Sequence, residues 1–177
     1  MRKLQWMGVL AVLLCVICSL CAAEDVREVS LSEFKVSAVV PKGYSYVDQF
    51  ASDILYLGVL EPEDKNRPVG MITIAYDEIA GGKSLDELSE EQISAMVAEF
   101  LKDTPAARVS RTKTEKGTGI LILDTETANE CCYDIVTLWK GYQIAVRMLP
   151  GQNQNRLTQE QKDLVISFLS NITIEKR

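Results

Sequence analysis

The run from Gly117 to Pro150 constrains this chain more than any other stretch. It reads TGILILDTETANECCYDIVTLWKGYQIAVRML between those two residues, three strand-like segments separated by two short turns. Tyr142, Ile144, Val146 and Met148 alternate with Gln143, Ala145 and Arg147, a period of two. Such a meander buries its apolar sides only if helices cover it. Two amphipathic helix patterns, one on each side in sequence, are available for that.

Upstream, residues 33–40 alternate as a strand, Pro41-Lys42-Gly43 turns, and 44–47 continues extended. Residues 53–60 form a more continuously apolar strand, 61–68 a charged loop with two prolines, and 69–76 another strand. Gly81-Gly82 breaks the chain before the first helix. Ser84 and Glu87 there make a capping box, in which each side chain satisfies a backbone donor of the other. Leu85, Leu88, Ile93, Met96, Val97, Phe100 and Leu101 fall on one helical stripe, and Thr104-Pro105 ends it. Residues 107–116 read as an edge strand. Thr158 and Gln161 repeat the capping box ahead of a last helix with Leu164, Val165, Phe168 and Leu169 on its apolar side.

Hairpin connections predict a mostly antiparallel sheet. Several strands are apolar on both sides, which a sheet open to water on one side does not tolerate. The predicted fold class is therefore α+β: about six to seven strands with helices on both faces, an α/β/α sandwich.

The N-terminal segment reads as an export signal. Met1-Arg2-Lys3 is positive, residues 4–23 carry no charge, and Cys21-Ala22-Ala23 places small residues before an acidic start at Glu24. Cleavage after Ala23 is expected. Two alternatives stay open: lipidation of Cys21, although Leu20 spoils the lipobox, and retention of the run as a membrane anchor. The organisation read from sequence is a signal peptide at 1–23, a linker at 24–32 and a single domain at 33–174.

The chain has 19 Lys+Arg and 25 Asp+Glu, a net charge of −6. Arg2 and Lys3 precede Glu24 and every acid lies at or after it, so the segment from Glu24 sets 17 cations against 25 acids, a net of −8. A body this acidic repels phosphate backbones, so no nucleic-acid partner is expected. Histidine is absent, which excludes imidazole-based triads and His-ligated zinc.

Cys131-Cys132 is the most conspicuous chemical pair. Adjacent Cα atoms lie about 3.8 Å apart, short of the ~4.4 Å minimum of an ordinary disulfide, and strand geometry sends the two side chains to opposite faces. With Ala128-Asn129 as the hairpin turn, Glu126 stands opposite Cys131 and Asp124 opposite Tyr133. Carboxylates so placed raise a thiol pKa and blunt its reactivity, so both cysteines read as structural. Asp124, Glu126, Glu130 and Asp134 form an acidic group, but their spacing matches no calcium loop, and a solvated edge is the expected role. No cofactor is implied. Tyr44, Tyr46, Tyr56, Tyr76, Tyr133, Tyr142 and Trp139 read as core more than as a pocket lining.

The opening FKVSAVVPKGY, the helix start Ser84-Leu85-Asp86-Glu87-Leu88, the strand Tyr142-Gln143-Ile144 and the closing Phe168-Leu169-Ser170-Asn171-Ile172 resemble the PsbP-like superfamily. That group includes PsbP proteins of photosystem II, DcrB-type periplasmic lipoproteins and a nuclear-transport factor. The resemblance spans residues 31–174 and implies an antiparallel sheet between helices, with a role in binding or assembly. It supplies no catalytic residues to carry over. The function expected is an exported, non-catalytic binding or assembly-accessory protein of the cell envelope, with a protein or envelope component as partner. Membrane contact is expected only through a lipidated Cys21 or a retained N-terminal segment. The alternatives are a small-ligand carrier, which predicts a deep apolar cavity between sheet and helix, and a thiol-dependent enzyme using Cys131 or Cys132.

Overall fold

The computed structural model describes residues 25–30, 34–51, 55–77 and 80–176; the expected export signal at 1–23, with Cys21, lies outside them. In chain order the elements are β1 (Asp25–Ser30), β2 (Phe34–Val40), β3 (Tyr44–Ala51), β4 (Leu55–Pro62), β5 (Val69–Tyr76), α1 (Glu90–Asp103), β6 (Arg108–Lys113), β7 (Gly119–Glu126), β8 (Cys131–Trp139), β9 (Tyr142–Leu149), α2 (Gln159–Ser170) and β10 (Thr173–Lys176). A 3₁₀ turn, Leu85–Glu87, precedes α1.

Seven strands form one sheet in the order β3-β4-β5-β9-β8-β7-β6, and every neighbouring pair is antiparallel. Two meanders, β3–β5 and β6–β9, meet where β5 pairs β9 from Val69↔Leu149 to Tyr76↔Tyr142. The β8–β9 turn is Lys140-Gly141, with φ of 48° and 87°. Two consecutive positive φ values suit the right-handed twist of a two-residue hairpin, and glycine takes the second without a Cβ clash.

The α+β class expected from the sequence is the one observed. Cover on the two faces is built differently. A helix is about 10 Å across and strands lie about 4.8 Å apart, so one helix shields roughly two strands. On the first face, α2 packs Val165, Phe168 and Leu169 against Ile135, Ile144 and Val146. The remainder is closed by a second, three-stranded sheet, β1-β2-β10, which contributes Val36, Ala38 and Val40 to the same core as Tyr56, Ile72 and Ile74. Residues 25–30, read from sequence within a linker, are thus a strand of this covering sheet. On the second face α1 and the 3₁₀ turn supply Leu85, Leu88, Ile93 and Met96, which meet Leu121, Leu123, Val136 and Leu138 of β7 and β8. That cluster contains no residue of β3, β4 or β5.

The helical stripe from Ser84 also divides. Ser84 donates to Glu87 Oε2 from its backbone N–H (2.8 Å) and its hydroxyl (2.7 Å), closing the 3₁₀ turn. Leu88 is then extended, and Ser89 opens α1 with its own box: Gln92 N–H donates to Ser89 Oγ, and Ser89 N–H to Gln92 Oε1, both at 3.2 Å. Two start signals five residues apart make two helical pieces, which lets Leu85 and Leu88 both reach the core. The Thr158–Gln161 box forms as expected at α2.

Candidate functional site

The 127–130 hairpin turn is closed by Thr127 N–H donating to Glu130 O (2.8 Å), while Thr127 Oγ1 accepts from the Asn129 and Glu130 N–H groups. The register that follows sets Glu126 opposite Cys131 and Asp124 opposite Tyr133. Cys131 is half-buried on the first face and Cys132 is buried on the second, and both are free thiols. Burial pushes the Cys132 thiol above its ordinary value, and the Asp134 charge adds to that. Its Sγ lies 3.9 Å from Asp134 Oδ2. Cys131 borders an open depression of about 530 Å³ where the ionisable neighbours are Glu130 and Arg156.

The acidic group does not converge. Asp124 accepts from Lys162 Nζ at 2.7 Å, with that ammonium 5.2 Å from the Tyr133 ring centroid. Glu126 pairs with Arg156 at 2.9 Å. Asp134 points to the opposite face, where Arg147 grips it with Nε (2.7 Å) and Nη2 (2.9 Å). Among the described residues no three His, Cys, Asp or Glu side chains are placed to hold a metal ion.

The aromatic residues divide in the same way. Tyr44, Tyr56 and Tyr133 are buried in the first-face core, whereas Tyr76 is 55% exposed. Tyr56 donates to Asp48 Oδ1 (2.7 Å) and shares a 2.6 Å hydrogen bond with Tyr46, over Gly58, whose missing side chain leaves the space both hydroxyls occupy.

The surface that stands out is the half of the second face that no described element covers, which was not evident from the sequence. Side chains of Leu57 and Val59 on β4, Val69, Met71, Thr73 and Ala75 on β5, and Ala145 on β9 are half-buried there, and Leu55 is 37% exposed. Pairing aligns them in rows across the sheet: Val47, Val59, Met71, Arg147, Asp134 and Leu123 form one continuous line. Where this surface meets the end of α1 it deepens into a groove of about 220 Å³. Leu57, Met71, Ala145 and Val136 form its apolar floor, Phe100 and Asp103 its helical wall, and the Arg147–Asp134 pair its polar end. The signal for this surface lay in the strands that are apolar on both sides, set against a helix count of one per face.

No protein-family model matches the chain, and no curated protein matches its sequence. Among the described residues no helix is long and apolar enough to cross a membrane.

Proposed function

We propose that this chain is an exported, non-catalytic binding or assembly-accessory module of the cell envelope, and that the open half of the sheet is where it holds its partner. One observation carries the reading: a contiguous apolar surface on β4, β5 and β9 that α1 leaves uncovered. Contiguous apolar surface on a folded domain is costly in water and marks contact sites. The export assignment rests on residues 1–24, and kinship with the PsbP-like superfamily rests on the residue resemblances given above. A binding role suits the rest of the site chemistry: the buried Cys132 thiol is held protonated, and Asp124, Glu126 and Asp134 are each neutralised by a cation.

The test is site-specific photo-cross-linking in the native envelope. A photoreactive residue at Leu57 or Thr73 is expected to give the same protein adduct, and one at Lys65, in the exposed β4–β5 loop, to give none. Absence of any adduct from Leu57 and Thr73 would overturn the reading.

The carrier alternative is favoured by a cavity of about 300 Å³ between the sheet and α2, lined by Thr137, Trp139, Ile144 and Leu169. That volume sits at the lower bound for small-molecule sites. A panel of small apolar ligands that raises the melting temperature in proportion to affinity would favour it.

A further inference from the structure

We propose that the occupant of the open half-face is a protein segment in which apolar side chains are flanked by basic residues. The inference rests on the binding reading above and specifies the chemistry of its partner. The charges that border the surface decide it. Arg147 is the one cation among the described side chains on this half of the face, and its guanidinium is already engaged by Asp134. Two acids remain. Asp103 lines the groove at the end of α1, and Glu61 continues the outward-facing row of β4 beyond Leu57 and Val59; neither has an ion-pair partner among the described residues. The last-turn carbonyls of α1 add partial negative charge beside Asp103, and Lys102 of the same turn is already engaged by Glu99. The whole chain, at −6, extends the same field outward.

An apolar strip bordered by two negative charges, Asp103 beside the groove and Glu61 beyond Val59, selects against acidic segments and steers basic ones toward it. The groove volume of about 220 Å³ accommodates one large apolar side chain. Leu, Ile or Met would seat on Leu57, Met71 and Ala145, with a lysine or arginine beside it reaching Asp103. A second copy of this chain is the poorer occupant, because two acidic rims would face each other.

The experiment uses the full chain after removal of residues 1–23 and three fluorescent synthetic peptides of about twelve residues. One alternates leucine with lysine, one leucine with glutamate, and one serine with lysine. The leucine–lysine peptide is expected to bind at least ~10-fold tighter than either of the others, with affinity falling as salt rises. Asp103→Lys combined with Glu61→Lys is expected to cut that affinity at least ~10-fold. Met71→Lys, which sets a cation where the leucine would seat, is expected to cut it at least ~10-fold while the unfolding midpoint stays near that of the parent, since Met71 is half-buried and a lysine stem can lie along the apolar surface with its ammonium in water. Equal binding of the lysine and glutamate peptides, or indifference to the double charge reversal, overturns the proposal. So does concentration-dependent dimerisation abolished by Met71→Lys, which would make a second copy the occupant. If cross-links form from Leu57 and Thr73 but charge reversal leaves them unchanged, the binding reading stands and the basic-partner inference falls.

Discussion

At the scale of single residues, the Arg147–Asp134 pair shows how a charge is kept in a largely apolar layer. Asp134 is 7% exposed, and both of its oxygens accept from one guanidinium. Removing the arginine strands a desolvated carboxylate, so Arg147→Ala is expected to cost about 2 kcal/mol in urea unfolding, below the full penalty for a wholly buried pair because Arg147 is partly in water. The thiols differ by face. Alkylation followed by mass spectrometry is expected to label Cys131 first and Cys132 only as the chain opens. Burial also sets an alkaline limit. The folded chain keeps the Cys132 proton after the unfolded chain has lost it, so the stability tied to that proton is whole below the ordinary thiol value of 9.0 and declines as pH rises past it. Tyr44, Tyr56 and Tyr133, each pushed above 10.0 chiefly by burial, extend the decline. The urea midpoint is expected to fall from about pH 9 upward, and Cys132→Ala to remove the first part of that fall.

At the scale of elements, the hairpins were the most legible part of the chain. Alternation through 119–149 and two-residue turns at Ala128-Asn129 and Lys140-Gly141 are local signals, and they set the β7–β8–β9 register. The first helix was half legible: Ser84 with Glu87 announced a start, but Ser89 with Gln92 supplied another, and only the second leads an α-helix. β1 was not legible. Its six residues, DVREVS, become a strand by pairing with β2, and no local pattern encodes that partner. The candidate site was not legible either, because it is a remainder: what one 14-residue helix leaves uncovered on a seven-stranded sheet. Two substitutions probe the elements. Thr158→Ala is expected to lower stability by about 1 kcal/mol through loss of the α2 cap. Gly58→Ala drives a methyl into the Tyr46 and Tyr56 hydroxyls, two side chains fixed by hydrogen bonds, and is expected to cost about 1–3 kcal/mol. Both are read from chemical denaturation curves.

At the scale of the whole molecule, the two faces follow different solutions to one covering problem. The first recruits a helix and an accessory sheet and becomes a closed core; the second recruits one helix and stays half open. On the proposed binding role, stability and recognition are thereby separated. Thr73→Arg on the open half is expected to leave the unfolding free energy within about 0.5 kcal/mol of the parent, while eliminating the cross-linked adduct from Leu57. Ile72→Ala, one residue away but facing the closed core, is expected to cost about 2–5 kcal/mol. The accessory sheet has a consequence of another kind. β2 lies between β1 and β10, so residues 25–30 and 173–176 are stitched to the same strand. Until β10 pairs, β2 is fastened along one edge only, so the cover over Tyr56 and Ile72 closes through a contact between residues far apart in sequence. A closure so non-local is expected to form late in folding, after the hairpins of the seven-stranded sheet.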